Sequence, residues 1–267
     1  MWKYTKMQKI FLNLFATFFL FVCLFILPNK TQASLVSKSP TNTLTSGLVG
    51  YWTFDGKDTN WATNKTNDLS GNGNTGTMTS MSTTTSPAPG KLGQAFNFDG
   101  VDDYASTTAP LTQNNPMSVF AWVKVKNYST FQASYGAGVI KSYTVATCKA
   151  GDFFLSIAPT SSAGNIKFTH CKSDGDTTAL HNVNAASITA QNTWYFIGAT
   201  TDGTNGGTKI CVNGTCYTVT SSVNPTSWAV GTNIGRLHTS AAYFFNGLID
   251  DVRVYSRALS ATEVRQL

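Results

Sequence analysis

Residues 244–256 read Phe-Phe-Asn-Gly-Leu-Ile-Asp-Asp-Val-Arg-Val-Tyr-Ser. They form a short run rich in β-branched and aromatic residues, and residues 118–126 (Ser-Val-Phe-Ala-Trp-Val-Lys-Val-Lys) read the same way. Such runs suit a pleated, half-buried surface. Further short apolar or alternating runs predict strands at 48–55, 94–99, 152–158, 165–170, 194–201, 208–212 and 215–220. Gly- and Asn-rich breaks separate them, among them Ser70-Gly71-Asn72-Gly73-Asn74 and Thr201-Asp202-Gly203. No glycine-rich stretch runs on into Lys-Ser/Thr and a helix, so these breaks carry turn chemistry rather than phosphate binding. Strands of this length and spacing predict an all-β antiparallel sandwich. One short C-terminal helix is expected from Ala261 towards Leu267, because Ser260-Ala261-Thr262-Glu263 fits a capping box. Residues 77–90 (TMTSMSTTTSPAPG) read as a low-complexity loop.

The outer parts of the chain are different in kind. Residues 1–33 have the parts of a signal peptide: Lys3, Lys6 and Lys9, then the apolar stretch Ile10 to Leu27, then the small-residue end Thr31-Gln32-Ala33. The alternative is an uncleaved membrane anchor, since that stretch is at the lower edge of a span. Either way the remainder is expected to be exported, secreted or held at the extracellular surface. Residues 34–46 are rich in Ser, Thr, Pro and Asn and read as a flexible linker, so one domain is expected over 47–267.

Charge excludes one class of partner. Only 12% of residues are charged, and the net charge is +6. Four of the 19 basic residues (Lys3, Lys6, Lys9, Lys30) lie in the export segment, leaving 15 against 13 acidic ones. No basic cluster remains to follow a phosphate backbone, so a nucleic-acid partner is not expected.

Cys23 lies in the export segment, and four cysteines follow: Cys148, Cys171, Cys211 and Cys216. An even number in an exported chain reads as disulfides. Asn213-Gly214 is a strong hairpin signal, which sets Cys211 opposite Cys216, at about 4.5 Å between α-carbons in a non-hydrogen-bonded pair. Cys148 and Cys171 then pair by elimination. Zinc is disfavoured, because no cysteine has zinc-motif spacing and the histidines are not grouped.

Four blocks, in order, carry a family resemblance: Gly47-Leu-Val-Gly-Tyr-Trp-Thr-Phe-Asp55; Asp68-Leu-Ser-Gly-Asn-Gly-Asn74; Gly90-Lys-Leu-Gly-Gln-Ala-Phe-Asn-Phe-Asp-Gly-Val-Asp-Asp-Tyr104; and Phe245-Asn-Gly-Leu-Ile-Asp-Asp-Val-Arg-Val-Tyr-Ser-Arg-Ala-Leu-Ser260. Over residues 47–267 the chain resembles the laminin-G-like jelly-roll domains of the concanavalin A-like lectin/glucanase superfamily. The resemblance implies a two-sheet jelly roll whose first and last long strands lie side by side. It implies extracellular recognition of glycans or proteins more than catalysis. The cysteine pairing is not part of it.

Some relatives hydrolyse glycosidic bonds with two flanking carboxylates, about 5–5.5 Å apart in retaining enzymes. The jelly-roll glucanases carry theirs as Glu-x-Asp-x-x-Glu on one strand. This chain has one glutamate, Glu263, and the adjacent pairs Asp102-Asp103 and Asp250-Asp251 would face opposite ways on a strand. His170, His181 and His238 are scattered, and no serine sits in a nucleophile elbow. A non-catalytic module is therefore expected, with a hydrolase a remote alternative.

The resemblance also implies a structural calcium near the aspartate of the last strand. Calcium takes aspartate and loop-carbonyl oxygens. If Val252 and Val254 mark the inward face, Asp250 shares it, and Asp55 and Asp68 are its candidate partners. The alternatives are that Asp250 is hydrogen-bonded to backbone or paired with an Arg while Asp55 and Asp68 cap turns, or that a bulge turns Asp251 inward instead.

Sugars bind on aromatic platforms. Trp52, Trp122 and Trp194 lie in or beside apolar strands and are expected in the core. Trp61 and Trp228 sit in polar segments and are the better platform candidates, with Tyr128, Phe131 and Tyr135 as a second aromatic group. The leading expectation is a carbohydrate-binding, lectin-like module for a glycan or polysaccharide. The runner-up is a protein-binding adhesion domain.

Overall fold

In the computed structural model the described residues are 43–107, 116–131, 133, 135–142, 152–160, 163–170, 180–204, 206–219, 231–238 and 243–267; the side chains of 43, 170 and 180–186 are not among them. The export segment, most of the linker, Cys148, Cys171 and Trp228 lie outside this set. From the N-terminus the strands are β1 (Leu48–Trp52), β2 (Thr59–Asn60), β3 (Lys65–Thr66), β4 (Gly76–Thr79), β5 (Pro87–Pro89), β6 (Gln94–Asp99), β7 (Tyr104–Thr107), β8 (Met117–Val125) and β9 (Ala137–Ser142). They continue with β10 (Phe153–Pro159), β11 (Gly164–His170), β12 (Leu180–Ile188), β13 (Trp194–Thr201), β14 (Thr208–Val212), β15 (Thr215–Val219), β16 (Thr232–Ile234) and β17 (Asn246–Tyr255). Helix α1 (Ala261–Val264) follows.

The strands form two antiparallel sheets. The eight-stranded sheet runs β15-β14-β13-β8-β17-β6-β5, with β1 also paired to β17. The nine-stranded sheet runs β12-β11-β10-β9-β16-β7-β4-β3-β2. The first and last long strands therefore lie side by side, and Ser256 N donates to Gly47 O at 2.7 Å to close the chain on itself. This is the jelly-roll sandwich expected from the sequence. Residues Asn42–Leu267 make one compact unit.

Alternation along β8 shows how the sheet acquires two faces. Val119, Ala121, Val123 and Val125 are fully buried in the main core, against Ile140, Leu155, Ile157 and Phe168 of the other sheet. Phe120, Trp122 and Lys124 take the opposite face. There Phe120, Phe196, Cys211, Tyr255, Leu259 and Val264 form a second apolar cluster. The segment after β17 thus covers part of the outer surface.

Two strands lie inside the stretch read as loop. Met78 of β4 points into the core, and β5 forms a sheet edge, where its two prolines lack only hydrogen bonds an edge does not need. The first strand stops at Trp52 rather than at residue 55, because Phe54 has φ 60°, outside strand geometry. Its ring stacks on Phe96 at 4.3 Å between centroids.

A bulge corrects the expectation for Asp250. The pairing of β17 with β8 shifts register between Asp250 and Arg253, and Asp251 has φ 50°. The extra residue puts both Ile249 and Val252 into the core. Asp250 therefore sits opposite Trp122, on the face away from Val252 and Val254.

Candidate functional site

The three aspartates named as calcium ligands each accept hydrogen bonds from backbone amides. Asp68 Oδ1 accepts from Tyr51 N and Ser70 N, both at 2.9 Å, and Oδ2 accepts from Ser70 Oγ at 2.7 Å and Asn74 N at 2.9 Å. Asp55 Oδ1 accepts from Gln94 N at 2.7 Å. Asp250 Oδ2 accepts from Lys91 N at 2.8 Å and Leu92 N at 3.0 Å, while its buried Oδ1 has no partner. Their oxygens do not converge on one point. Among the described residues, the acidic side chains whose ligand atoms lie within 4.8 Å of one another are Asp99, Asp102 and Asp103. A calcium cage built from Asp55, Asp68 and Asp250 does not fit this arrangement. Asp55 and Asp250 instead pin the loop Gly90–Gln94 from two sides, and no room exists there for larger residues. A Cβ on Gly90 would come within 2.6 Å of Asp250 Oδ2.

Burial raises the Asp250 carboxyl to about 7, and the neighbouring Asp251 adds to the effect. Burial likewise pushes Asp103 up to about 6, with Asp99 adding. Asp103 accepts from Asp99 N at 3.1 Å, so that trio closes the turn between β6 and β7.

The aromatic residues change places relative to the sequence expectation. Trp61 is half-buried and packs on the core, its ring 5.5 Å from Phe96. Tyr128 is 6% exposed and its hydroxyl donates to Ile188 O at 3.3 Å; Phe131 is 5% exposed and packs on Phe245. Tyr128 and Phe131 are thus core residues that offer no ring face to a ligand. Tyr135 is half-buried beside Phe154, at 6.4 Å. Trp52 is core, as expected, with Nε1 donating to Asn74 O at 2.9 Å. Trp122 and Trp194 are not core. Both stand half-buried on the outer face of the eight-stranded sheet. The sequence held the signal: Trp122 alternates in phase with Lys124 and Lys126, which need solvent, and in the sheet Trp194 pairs directly with Lys124.

These tryptophans floor a groove of about 470 Å³. Trp122 leans on Phe196, with centroids 5.2 Å apart. One wall is the pinned loop, from which Lys91 Nζ lies 4.8 Å from the centre of the Trp122 ring. The opposite wall is Val264, Arg265 and Leu267, at and beyond the end of α1. The end wall is the hairpin tip Asn213-Gly214. Asn213 has φ 48° and Gly214 φ 80°, the left-handed pair that a two-residue hairpin needs. Asn213 Oδ1 accepts from Phe196 N at 3.0 Å, tying the tip to the floor. Cys211 and Cys216 pair in register and are disulfide-bonded, with α-carbons 4.0 Å apart. This agrees with the pairing read from the sequence; the Cys148–Cys171 pairing lies outside the described residues.

Glu263, the one glutamate, is fully engaged. Its carboxylate accepts from Ser260 N at 2.9 Å and meets Arg257 at 2.8 Å. The hydrogen bond from Arg257 is the largest influence holding its pKa down, at about 2. It completes the capping box expected from the sequence and has the properties of an ion-pair anchor, not of a proton donor.

The outer face of the nine-stranded sheet carries a polar row: Lys65, Thr77, Ser106, Asn233 and Lys141 lie opposite one another across successive strands. Arg236 stacks on Tyr104 at 3.5 Å and donates to Asn233 Oδ1 at 3.1 Å. Burial lowers Lys141 to about 7, assisted by the charge of Arg236. Lys65 Nζ donates to Thr77 Oγ1 at 2.6 Å within the row, and half-buried Phe154 lies opposite Lys141 at its end.

A family model described as the concanavalin A-like lectin/glucanases superfamily, of laminin-G type, matches residues 99–265. No curated protein matches. Among solved structures, the chain is similar to domain 4 of an extracellular GH43 arabinanase from Geobacillus stearothermophilus, solved with arabinotriose. That match has a TM-score of 0.61 and 22% identity, covering 83% of this chain and 98% of that one. It is similar to the binding domain of Paraclostridial Mosquitocidal Protein 1, with a TM-score of 0.59 and 13% identity over 84% of this chain and 52% of that one. It is also similar to the binding domain of botulinum neurotoxin DC in complex with SialylT, with a TM-score of 0.56 and 13% identity over 84% and 51%. The chain spans about half the length of these two toxin domains. At such identities the likeness is one of fold. The family match covers more than half of the sequence, and the chain belongs to the laminin-G-like family of the concanavalin A-like lectin/glucanase superfamily.

Proposed function

We propose that this protein is an extracellular, non-catalytic saccharide-binding module and that the groove over Trp122 and Trp194 is its binding site. The observation that carries this is the pair of half-exposed indoles at the floor of an open groove. They stand on adjacent paired strands, which fixes where the two rings sit relative to each other. A volume of about 470 Å³ is within the usual range for small ligands. Asn213, Lys91 and Arg265 supply polar contacts around the apolar floor. The engagement of Glu263 in a cap supports a module without hydrolytic chemistry. The arabinotriose and SialylT complexes of the fold's relatives are consistent with sugar recognition. The signal-like N-terminus and the Cys211–Cys216 disulfide support export.

The test is a glycan and polysaccharide array probed with the oxidised protein, in calcium and again in chelator. Binding to defined saccharides is expected. The open Oδ1 of Asp250 is one oxygen, too few for a calcium site by itself, and Asp99, Asp102 and Asp103 do not line the groove, so binding is expected to survive the chelator. A blank array from folded protein would move the assignment to a protein partner.

A further inference from the structure

We propose that the groove selects acidic saccharides, the carboxylate of a uronic or sialic acid unit lying between Lys91 and Arg265 while the sugar ring rests on the tryptophans. This rests on the saccharide reading of the same groove and goes one step past it. The lining has cations on two opposite walls and no acidic side chain. A third cation, Lys124, is directly opposite Trp194 on the same face.

Both wall cations are rooted. The main chain of Lys91 is fixed by Asp250, through its own amide at 2.8 Å and that of Leu92 at 3.0 Å. Asp250 therefore grips the backbone of this residue and leaves its ammonium over the Trp122 ring. The stem of Arg265 crosses the hairpin tip at Gly214, where a Cβ would approach Arg265 Cγ to 3.1 Å. The planar guanidinium of Arg265 matches a carboxylate with two parallel donors.

The contact of Lys91 with Trp122 also discriminates. In the free protein the ammonium occupies one face of the ring. A neutral sugar must displace it and forfeit the cation–π contact. An acidic sugar recovers that loss, because its carboxylate pairs with the displaced ammonium.

Calorimetric titration at low salt tests this with two matched pairs: trigalacturonate against galactotriose, and 3′-sialyllactose against lactose. The expected preference for at least one acid over its neutral partner is about tenfold, the size of two partly screened rim charges. The pair that shows it identifies the source of the carboxylate. Lys91→Gln with Arg265→Gln keeps both stems and should reduce the preference to about twofold, as should about 0.5 M salt. Equal affinity for acid and neutral partners, or a preference that persists in the double variant, overturns the charge selection. Neutral binding that is lost in Trp122→Ala would then still uphold the saccharide reading. If no sugar binds to folded protein, both fall together.

Discussion

Trp61→Ala and Trp122→Ala are expected to fail in opposite ways. Trp61 packs against Phe96 and is not among the residues lining the groove, so its loss should cost about 2 kcal/mol of stability, below the range for a fully buried tryptophan, and leave sugar affinity intact. Trp122 leans on Phe196 and faces the groove, so its loss should weaken saccharide binding roughly five- to tenfold, with a smaller stability change. Urea unfolding and calorimetry on the two variants check the exchange of roles. Asp250 makes a separate prediction. Its pKa is raised in the fold to about 7, so between the ordinary carboxylate range near 4 and about 7 the folded state binds more protons than the unfolded state. Stability from this group is therefore complete below about pH 4 and is lost as pH rises to about 7. Asp250→Asn should flatten that part of the profile relative to the parent, measured as urea midpoints from pH 4 to 8. A cation resident on Asp250 would favour its charged form and reverse the sign.

At the scale of elements, the hairpin β14–β15 and helix α1 shape two sides of the groove, and both were legible. Asn213-Gly214 determines the turn and brings Cys211 to Cys216; Ser260 and Glu263 close the cap. Replacing both cysteines by serine should cost about 2 kcal/mol, as expected for a very short loop, and loosen the end wall. Ser260→Ala should cost about 1 kcal/mol and raise hydrogen exchange in residues 261–265, since only one turn of helix depends on that cap. What the sequence left open was parity across an irregularity at Asp250-Asp251. One extra residue at Asp251 reverses the facing of everything before it relative to Val252 and Val254, and nothing local in Ile-Asp-Asp-Val announces a φ of 50°. Strands β4 and β5 were missed for a related reason. Thr-Met-Thr is short with one apolar position and Pro-Ala-Pro lacks two backbone donors, so neither stands out locally, and each is defined by its pairing with β7 or β6. The groove was missed because Trp122 and Trp194 lie 72 positions apart and meet only through the β8–β13 register.

At the scale of the molecule, the fold keeps its two ends at one place. β1 lies along β17, Arg257 Nε donates to Ser46 O at 2.7 Å, and the same side chain holds Glu263 of α1. The groove wall beyond α1 thus depends on closure of the whole sandwich and does not fold as a local lid. The central claim is that saccharides dock on Trp122 and Trp194, and the most direct measurement follows the tryptophan indole N–H signals by NMR as the best array ligand is titrated into nitrogen-15-labelled protein. The account predicts shifts at Trp122 and Trp194 that saturate together, while Trp52, whose N–H is held by Asn74 in the core, stays in place. Shifts confined to Trp61 or Trp228, or saturated binding that leaves Trp122 and Trp194 unmoved, would contradict it.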